Sequence, residues 1–185
     1  MDKFYKRYFL AFILLFSANS VADVEADIES VMATYIDAVR DYDTLQMASL
    51  MHPLALERFR ASFDSALQGA KAEQAKKELM PLLSLKDFSD YLALTNKEAF
   101  KRLNDGVAAQ APELIAMMKD ADFEIISTTL KGETAYVIYK LGLNINGQYL
   151  SQEVVQKLKK YEHKWLLLLP ATAEAAIVNI EKRFK

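Results

Sequence analysis

The chain of 185 residues contains no cysteine. It therefore has neither a disulfide framework nor a lipobox thiol for a lipid anchor, and its fold must be stabilised by its core. Positive charge is not in excess either, with 23 Lys+Arg against 25 Asp+Glu. This balance argues against non-specific nucleic-acid binding, which depends on basic contacts. Hydrophobic residues make up 52% and charged residues 26%, which excludes a disordered chain, a collagen-like repeat and a multi-spanning membrane protein.

Motifs for common catalytic and cofactor sites are missing as well. The sequence holds no zinc-type cluster, phosphate-binding glycine loop, nucleophile elbow or dinucleotide fingerprint. It has only two histidines, His52 and His163, and His163 stands in a predicted turn where a solvated side chain is expected. The sequence therefore predicts no cofactor and no metal site, and it favours a protein that is not an enzyme.

The first 22 residues predict a signal peptide. A basic head precedes an apolar run from Phe9 to Phe16, and the small residues Ser20 and Ala22 stand at the −3 and −1 positions of a cleavage site before Asp23. Eight apolar residues rise about 12 Å as a helix, well short of the roughly 30 Å hydrocarbon layer. We therefore expect an exported protein, periplasmic or secreted, with no stable membrane span after cleavage.

Apolar residues at three- and four-residue steps predict helices in the first half of the mature chain. The first helix is predicted from Val24 to Asp41. Asp43, with Gln46 three positions later, predicts the capped start of a second helix that Pro53 ends.

A longer helix is predicted next, with an apolar stripe formed by Leu56, Phe59, Phe63 and Leu67. The polar stretch from Gly69 to Glu78 is interpreted as its solvated extension. Two further capping boxes, Ser84 with Asp87 and Thr95 with Glu98, predict two more short helices.

The second half changes to β-branched and aromatic residues that are separated by turn signals. Strands are predicted over residues 123–130, 134–143 and 165–169. Asn146-Gly147 predicts a tight hairpin turn, because both residues tolerate positive φ.

The segment from Gln148 to Tyr161 fits two structures. Leu150, Val154 and Leu158 lie on one stripe of a helix, but they also lie on one face of a strand, and periodicity cannot separate the two. The preceding hairpin turn and the β-branched residues favour one long strand. The fold prediction depends on this choice.

These elements together predict an α+β fold, in which N-terminal helices pack in the hollow of a curved antiparallel β-meander. A single cone-like domain is expected over residues 23–170, with a helical insertion over residues 70–119. Residues 171–185 are expected to form a C-terminal helix or tail. Its amphipathic pattern favours docking on protein, either this domain or a partner, over docking on an anionic membrane surface.

Four segments carry a resemblance to a known family: Tyr35 to Asp43, Met51-His52-Pro53, Gly132 to Val137 and Lys164 to Leu167. They resemble the nuclear transport factor 2-like superfamily, whose cone-shaped, cystatin-like fold is shared by polyketide cyclases, ketosteroid isomerase and scytalone dehydratase. The long helical insertion is more similar to exported members of this superfamily than to its known enzymes. Since one scaffold hosts many unrelated activities, the resemblance implies a fold rather than a reaction.

The leading functional hypothesis is a non-catalytic domain that binds a small apolar ligand or a protein partner in the concave face of the sheet. Tyr35 and Tyr139 lie on apolar faces, as amphipathic core residues do. Gln152 and Gln156 share one strand face, where they either line a pocket and orient a ligand or face water.

Two alternatives stay open. The first is a cofactor-independent isomerase, dehydratase or hydrolase that uses His52 with Asp37, or with a tyrosine, as an acid/base pair in the cone. For His52 by itself a helix-end role is favoured over an acid/base role, and for Asp37 a solvated carboxylate is expected. The second is a structural homodimer whose sheets pack face to face through Tyr136 and Ile138.

Overall fold

A computed structural model describes residues 22–185 of the chain. Residues 1–21, which hold all but the last residue of the predicted signal peptide, lie outside the described part. In residues 22–185 helices come first, a four-stranded antiparallel sheet follows and a further helix ends the chain. The predicted α+β fold is thus confirmed. None of the helices between residues 22 and 185 has both the length and the apolar composition that a membrane crossing requires.

The described part of the chain contains eight α-helices and one 3₁₀ turn. They are α1 (22–40), α2 (Thr44–Ser49), α3 (Pro53–Gln68), α4 (Ala72–Leu79), the 3₁₀ turn (Pro81–Leu83), α5 (Phe88–Ala93), α6 (Asn96–Gln110), α7 (Pro112–Lys119) and α8 (Ala171–Phe184). The strands are β1 (Asp122–Lys131), β2 (Thr134–Ile145), β3 (Gln148–Tyr161) and β4 (Lys164–Leu167). The segment with two interpretations is therefore one long strand.

Side-chain caps begin two of the helices where the sequence predicts them. Asp43 accepts a hydrogen bond from the Gln46 backbone N–H at 2.9 Å at the start of α2. At the start of α6, the Thr95 hydroxyl accepts from the Glu98 N–H, and the Glu98 carboxylate accepts from the Thr95 N–H. Caps of this kind satisfy backbone donors that the first helical turn leaves unpaired.

The polar stretch after α3 is a separate helix, so its interpretation as an extension of α3 is wrong. The helix α3 ends at Gln68, Gly69 has extended backbone angles, and α4 starts at Ala72. The break allows α4 to bury Ala75 and Leu79 in the core, which a straight continuation into solvent would not do.

Two other helix boundaries also differ from the prediction. Pro53 does not end α2; it is the first residue of α3, where its missing N–H is not needed. Ser84 does not cap a helix, because it adopts a left-handed conformation with φ 53° after the 3₁₀ turn. The next helix instead starts after Asp87, without a side-chain cap.

The sheet presents one face to the helices. Ala135 and Val137 of β2 and Leu158 of β3 are fully buried on this face, and buried residues alternate with half-buried ones from Thr134 to Tyr139. Asn146 and Gly147 form the β2–β3 turn with φ values of 52° and 79°.

The segment between α2 and α3 covers the edge of β4. Met51 forms a parallel bridge with Leu167. The His52 N–H donates to the Leu167 carbonyl at 2.8 Å, and the Leu167 N–H donates to the Leu50 carbonyl at 2.9 Å. The helical layer is therefore anchored to the sheet through backbone hydrogen bonds as well as through the core.

The C-terminal helix α8 docks on the domain, as its amphipathic pattern predicts. Ile177 and Phe184 are each 3% exposed and belong to the same apolar cluster as the cores of α3 and the sheet. Arg58 of α3 pairs with Glu174 and Glu181 of α8. Because these ion pairs are partly solvated, burial of the apolar face stabilises the docking more than they do.

Candidate functional site

An apolar cavity of about 200 Å³ lies between α3, α6 and α8, and α1 and α2 each contribute a lining residue. Its aromatic and aliphatic walls include Phe59, Phe63, Phe100, Leu103, Ile177 and Ile180. Among the described residues no strand side chain lines it. The cavity is thus between the helices, whereas the leading hypothesis placed its ligand in the concave face of the sheet.

Two polar side chains line this apolar cavity, Tyr35 from α1 and Asn104 from α6. The Asn104 amide nitrogen donates to the Phe100 carbonyl at 2.8 Å, and the Tyr42 hydroxyl donates to the Asn104 backbone carbonyl at 3.2 Å. The first bond holds the Asn104 side-chain amide, and the second holds its backbone. The Asn104 side-chain oxygen and the Tyr35 hydroxyl take no part in these two bonds, so they remain as hydrogen-bonding groups for a bound molecule.

Tyr35 and Tyr139 are neighbours, and both are neutral phenols. Burial, and to a smaller extent the adjacent Tyr139, raises the pKa of Tyr35 to about 12. Burial also raises the pKa of Tyr139. A hydroxyl with such a pKa donates a hydrogen bond at neutral pH but is poorly matched to acid/base catalysis. Tyr35 is therefore suited to orient a ligand.

The two glutamines have different surroundings, and the structure does not bring them together with Tyr35 at the cavity. Gln156 is 1% exposed, and its amide nitrogen donates to the Lys157 carbonyl at 2.9 Å and to the Leu168 carbonyl at 2.7 Å. It fastens the segment after β4 to β3. Gln152 is exposed.

His52 and Asp37 also lie in different surroundings. His52 is 3% exposed, and its Nδ1 accepts a hydrogen bond from the Leu54 N–H at 3.0 Å, so it caps the start of α3. The Asp37 side chain is 72% exposed and approaches Arg40 at 4.0 Å. In residues 22–185 no hydrogen bond or ion pair joins the two side chains, and neither lines the cavity.

Acidification should destabilise the protein through His52. Burial, together with the charge of Lys159, lowers the pKa of His52, although the Lys160 backbone and Glu57 act in the opposite direction. The unfolded chain then binds this proton more readily than the folded one. The stability that neutral His52 contributes is present above the ordinary value of 6.5 and is lost as the pH falls below it.

The variant His52→Asn tests this prediction, because asparagine keeps a capping acceptor but does not titrate. Urea denaturation between about pH 7.5 and 5.5 should show a shallower loss of stability than in the wild type. The variant His163→Asn controls for the loss of a histidine. An unchanged pH dependence in His52→Asn would contradict the prediction.

The described residues contain no convergent group of three or more His, Asp or Glu side chains that could hold a metal ion. The helical periodicity predicts that Phe59 and Phe63 share one apolar stripe, but it does not place them around one cavity with Phe100. It did not single out Asn104. The signal for Asn104 is a polar residue that interrupts the apolar pattern of α6, four residues after Phe100.

No known protein family has a model that matches this chain, and no curated protein matches it significantly. The geometry of the cavity is therefore the basis for the functional argument.

Proposed function

We propose that the protein is an exported, non-catalytic domain that binds a small apolar molecule in the cavity between α3, α6 and α8. The observation that supports this most is an apolar cavity with only two polar side chains on its lining. Small-molecule sites combine such apolar walls with a few polar groups that fix orientation. Export follows from the predicted signal peptide.

The size of the cavity indicates the class of ligand. Dry apolar cavities of roughly 150 Å³ accept benzene, so the 200 Å³ of this cavity suits one aromatic ring or two fused rings. A hydroxyl or N–H on the ring would meet the Asn104 oxygen or the Tyr35 hydroxyl. Phenol and indole are therefore suitable probes, and benzene is the apolar reference.

Membership of the nuclear transport factor 2-like superfamily is part of the same proposal. It is supported by the resemblance of the sequence segments and by the order of the fold, helices first and an antiparallel meander second. This membership adds no reaction to the proposal, because the scaffold serves catalytic and non-catalytic proteins alike.

Tyr35→Phe should weaken phenol binding about five- to tenfold, because one hydrogen bond contributes roughly 1 kcal/mol. The affinity for benzene should stay unchanged. Isothermal titration calorimetry with both probes measures the difference. Tyr136→Phe is the matched control, because Tyr136 lies on the face of the sheet that points away from the helices. Equal affinities of the wild type and Tyr35→Phe for phenol would contradict the role of the hydroxyl.

A pair of substitutions on α8 provides the control for the position of the site. Ala173 lines the cavity, whereas Ala175 is exposed and does not line it. Ala173→Leu should abolish binding of both probes, and Ala175→Leu should leave it intact. Absence of binding by the wild type at millimolar probe concentrations, or equal effects of the two leucines, would contradict the proposal.

A further inference from the structure

The strand β3 has a long edge without a partner. β2 pairs with it from Gln148 to Lys159, whereas β4 pairs only with Leu158 to Tyr161. Over residues 148–156, the side of β3 that faces away from β2 has no strand partner among the described residues. Residues 148–153 are all exposed.

The hydrogen bonds near the end of β3 show which residues direct their backbone groups to this edge. The Lys160 N–H donates towards β2, to the Glu133 carbonyl, whereas the Lys157 carbonyl accepts from Leu168 on the opposite side. Backbone direction alternates along a strand. The odd-numbered residues Tyr149, Ser151, Glu153 and Val155 therefore present their N–H and C=O groups to the free edge.

The other two edges of the sheet are protected, but this one is not. β1 carries a bulge between Ile125 and Ser127, and Met51 covers β4. Lysines, prolines and bulges are the devices that prevent pairing at an edge. Residues 148–156 contain no lysine, arginine or proline, and the register of β3 against β2 has no shift.

Several exposed side chains of residues 148–156 are large and apolar, as expected for a strand that pairs with another strand. Tyr149 is 51% exposed, Leu150 53% and Val155 48%. Ser151, Gln152 and Glu153 separate the apolar pair Tyr149-Leu150 from the apolar pair Val154-Val155, so apolar and polar positions have a near mirror order around Gln152.

We propose that two copies of the chain pair antiparallel through this edge, about a two-fold axis at Gln152, so that their sheets become continuous. Tyr149 then faces Val155 of the second copy, and Leu150 faces Val154. Apolar side chains meet apolar ones on both faces of the joined sheet, which is the arrangement that stabilises strand pairs.

The neighbouring registers are unfavourable. In an antiparallel pair, the backbone groups of two facing residues either both point to the partner strand or both point away from it. The two-fold axis can therefore lie only at a residue and not between two residues. An axis at Glu153 places two carboxylates opposite each other. An axis at Ser151 places Glu153 against Tyr149 and leaves Val155 against Gly147. Only the axis at Gln152 places apolar residues opposite apolar residues and polar residues opposite polar residues, with no two charges facing each other.

A contact made by one pair of strands lies at the small end of the range for specific interfaces, roughly 1,200 Å² or below. The dimer should therefore dissociate on dilution. Gln152 does not line the ligand cavity, so pairing and ligand binding can be tested separately.

Charges on the two-fold axis provide the first test. In protein purified after expression of the full-length chain, Gln152→Lys and Gln152→Glu should each raise the dissociation constant about tenfold or more, because like charges then face each other. An equimolar mixture of the two variants should restore dimers. Analytical ultracentrifugation measures all three samples, and Thr129→Lys and Thr129→Glu, exposed on β1, are the matched controls.

Single cysteines provide the second test, because the natural chain has none. Directly opposed, non-hydrogen-bonded residues lie about 4.5 Å apart between Cα atoms, within the range of a disulfide. Gln152→Cys should therefore cross-link on mild oxidation, and Gln148→Cys, which faces residue 156 of the second copy, should not.

Three outcomes would overturn the proposal. The first is a wild-type monomer at the highest soluble concentration. The second is a dimer that the Gln152 charges do not affect, as a face-to-face dimer through Tyr136 and Ile138 would be. The third is preferential cross-linking through a cysteine at residue 151 or 153.

Discussion

Replacing Arg60 with alanine should lower the free energy of unfolding by about 2 to 3 kcal/mol, as expected for a largely buried charge with several hydrogen-bond partners. The Arg60 side chain is 11% exposed, and its Nε lies 3.0 Å from the Asp64 carboxylate. Its two terminal nitrogens donate to the Leu94 carbonyl at 2.9 Å and the Tyr91 carbonyl at 3.1 Å. Alanine leaves all three acceptors without this donor.

Tyr91 completes the network that Arg60 holds together. The Tyr91 ring is fully buried, and its centre lies 4.0 Å from the guanidinium carbon of Arg60. The Tyr91 hydroxyl donates to the Asp64 carboxylate at 2.7 Å. Burial and the contact with Asp64 raise the pKa of Tyr91, so the hydroxyl stays protonated and remains a donor. Arg60→Lys should not restore stability, because an ammonium group cannot reach the separate acceptors of a planar guanidinium.

Arg58→Ala is the matched control, because Arg58 lies on the same helix. Its side chain is 36% exposed and pairs with Glu174 and Glu181. Exposed ion pairs contribute at most about 1 kcal/mol. Urea denaturation of the two alanine variants should therefore give clearly different stabilities. A loss in Arg60→Ala no larger than that in Arg58→Ala would show that the buried network is not a major source of stability.

Gly106→Ala should lower the free energy of unfolding by about 2 to 3 kcal/mol, although alanine is the better helix former by about 1 kcal/mol. A Cβ at this position of α6 would lie 2.7 Å from the Leu82 carbonyl carbon and closer still to its oxygen. The obstacle is backbone of the 3₁₀ turn, so a side-chain rotation cannot relieve the clash. The helix would have to move away from the turn.

Ala109→Gly is the control for Gly106→Ala, because Ala109 is exposed on the same helix. It should lose at most about 1 kcal/mol, through helix propensity alone, because Ala109 lies in the last turn of α6. Since α6 carries Phe100 and Leu103 of the cavity, Gly106→Ala should also weaken phenol binding. Thermal unfolding and calorimetry measure the two effects. An unchanged stability of Gly106→Ala would show that α6 does not pack so closely against the 3₁₀ turn.

The sequence could predict the elements whose signals are local. Thr95 and Glu98 form their capping box because both partners lie within one helical turn. Asn146 and Gly147 make the hairpin turn through their own backbone preferences. The alternation along β2 predicts its buried face, because side chains of a strand point to opposite faces.

The candidate site could not be predicted in the same way. Gln152 and Gln156 lie on one face of one strand, yet only Gln156 is buried, because the residues after β4 cover that end of β3 alone. Sequence periodicity indicates which side chains share a face, but it does not indicate how far a neighbouring segment extends over that face.

The amino-acid sequence by itself determined the α+β order, the position of the hairpin turn at Asn146-Gly147 and the polar or apolar character of each face, since these depend on residues close together in the chain. The tertiary structure alone decided that Phe63, Phe100 and Ile177 surround one cavity and that Gly106 meets the 3₁₀ turn. The physical reason is that both features arise where helices distant in sequence approach each other, and their packing depends on the shape of the whole core.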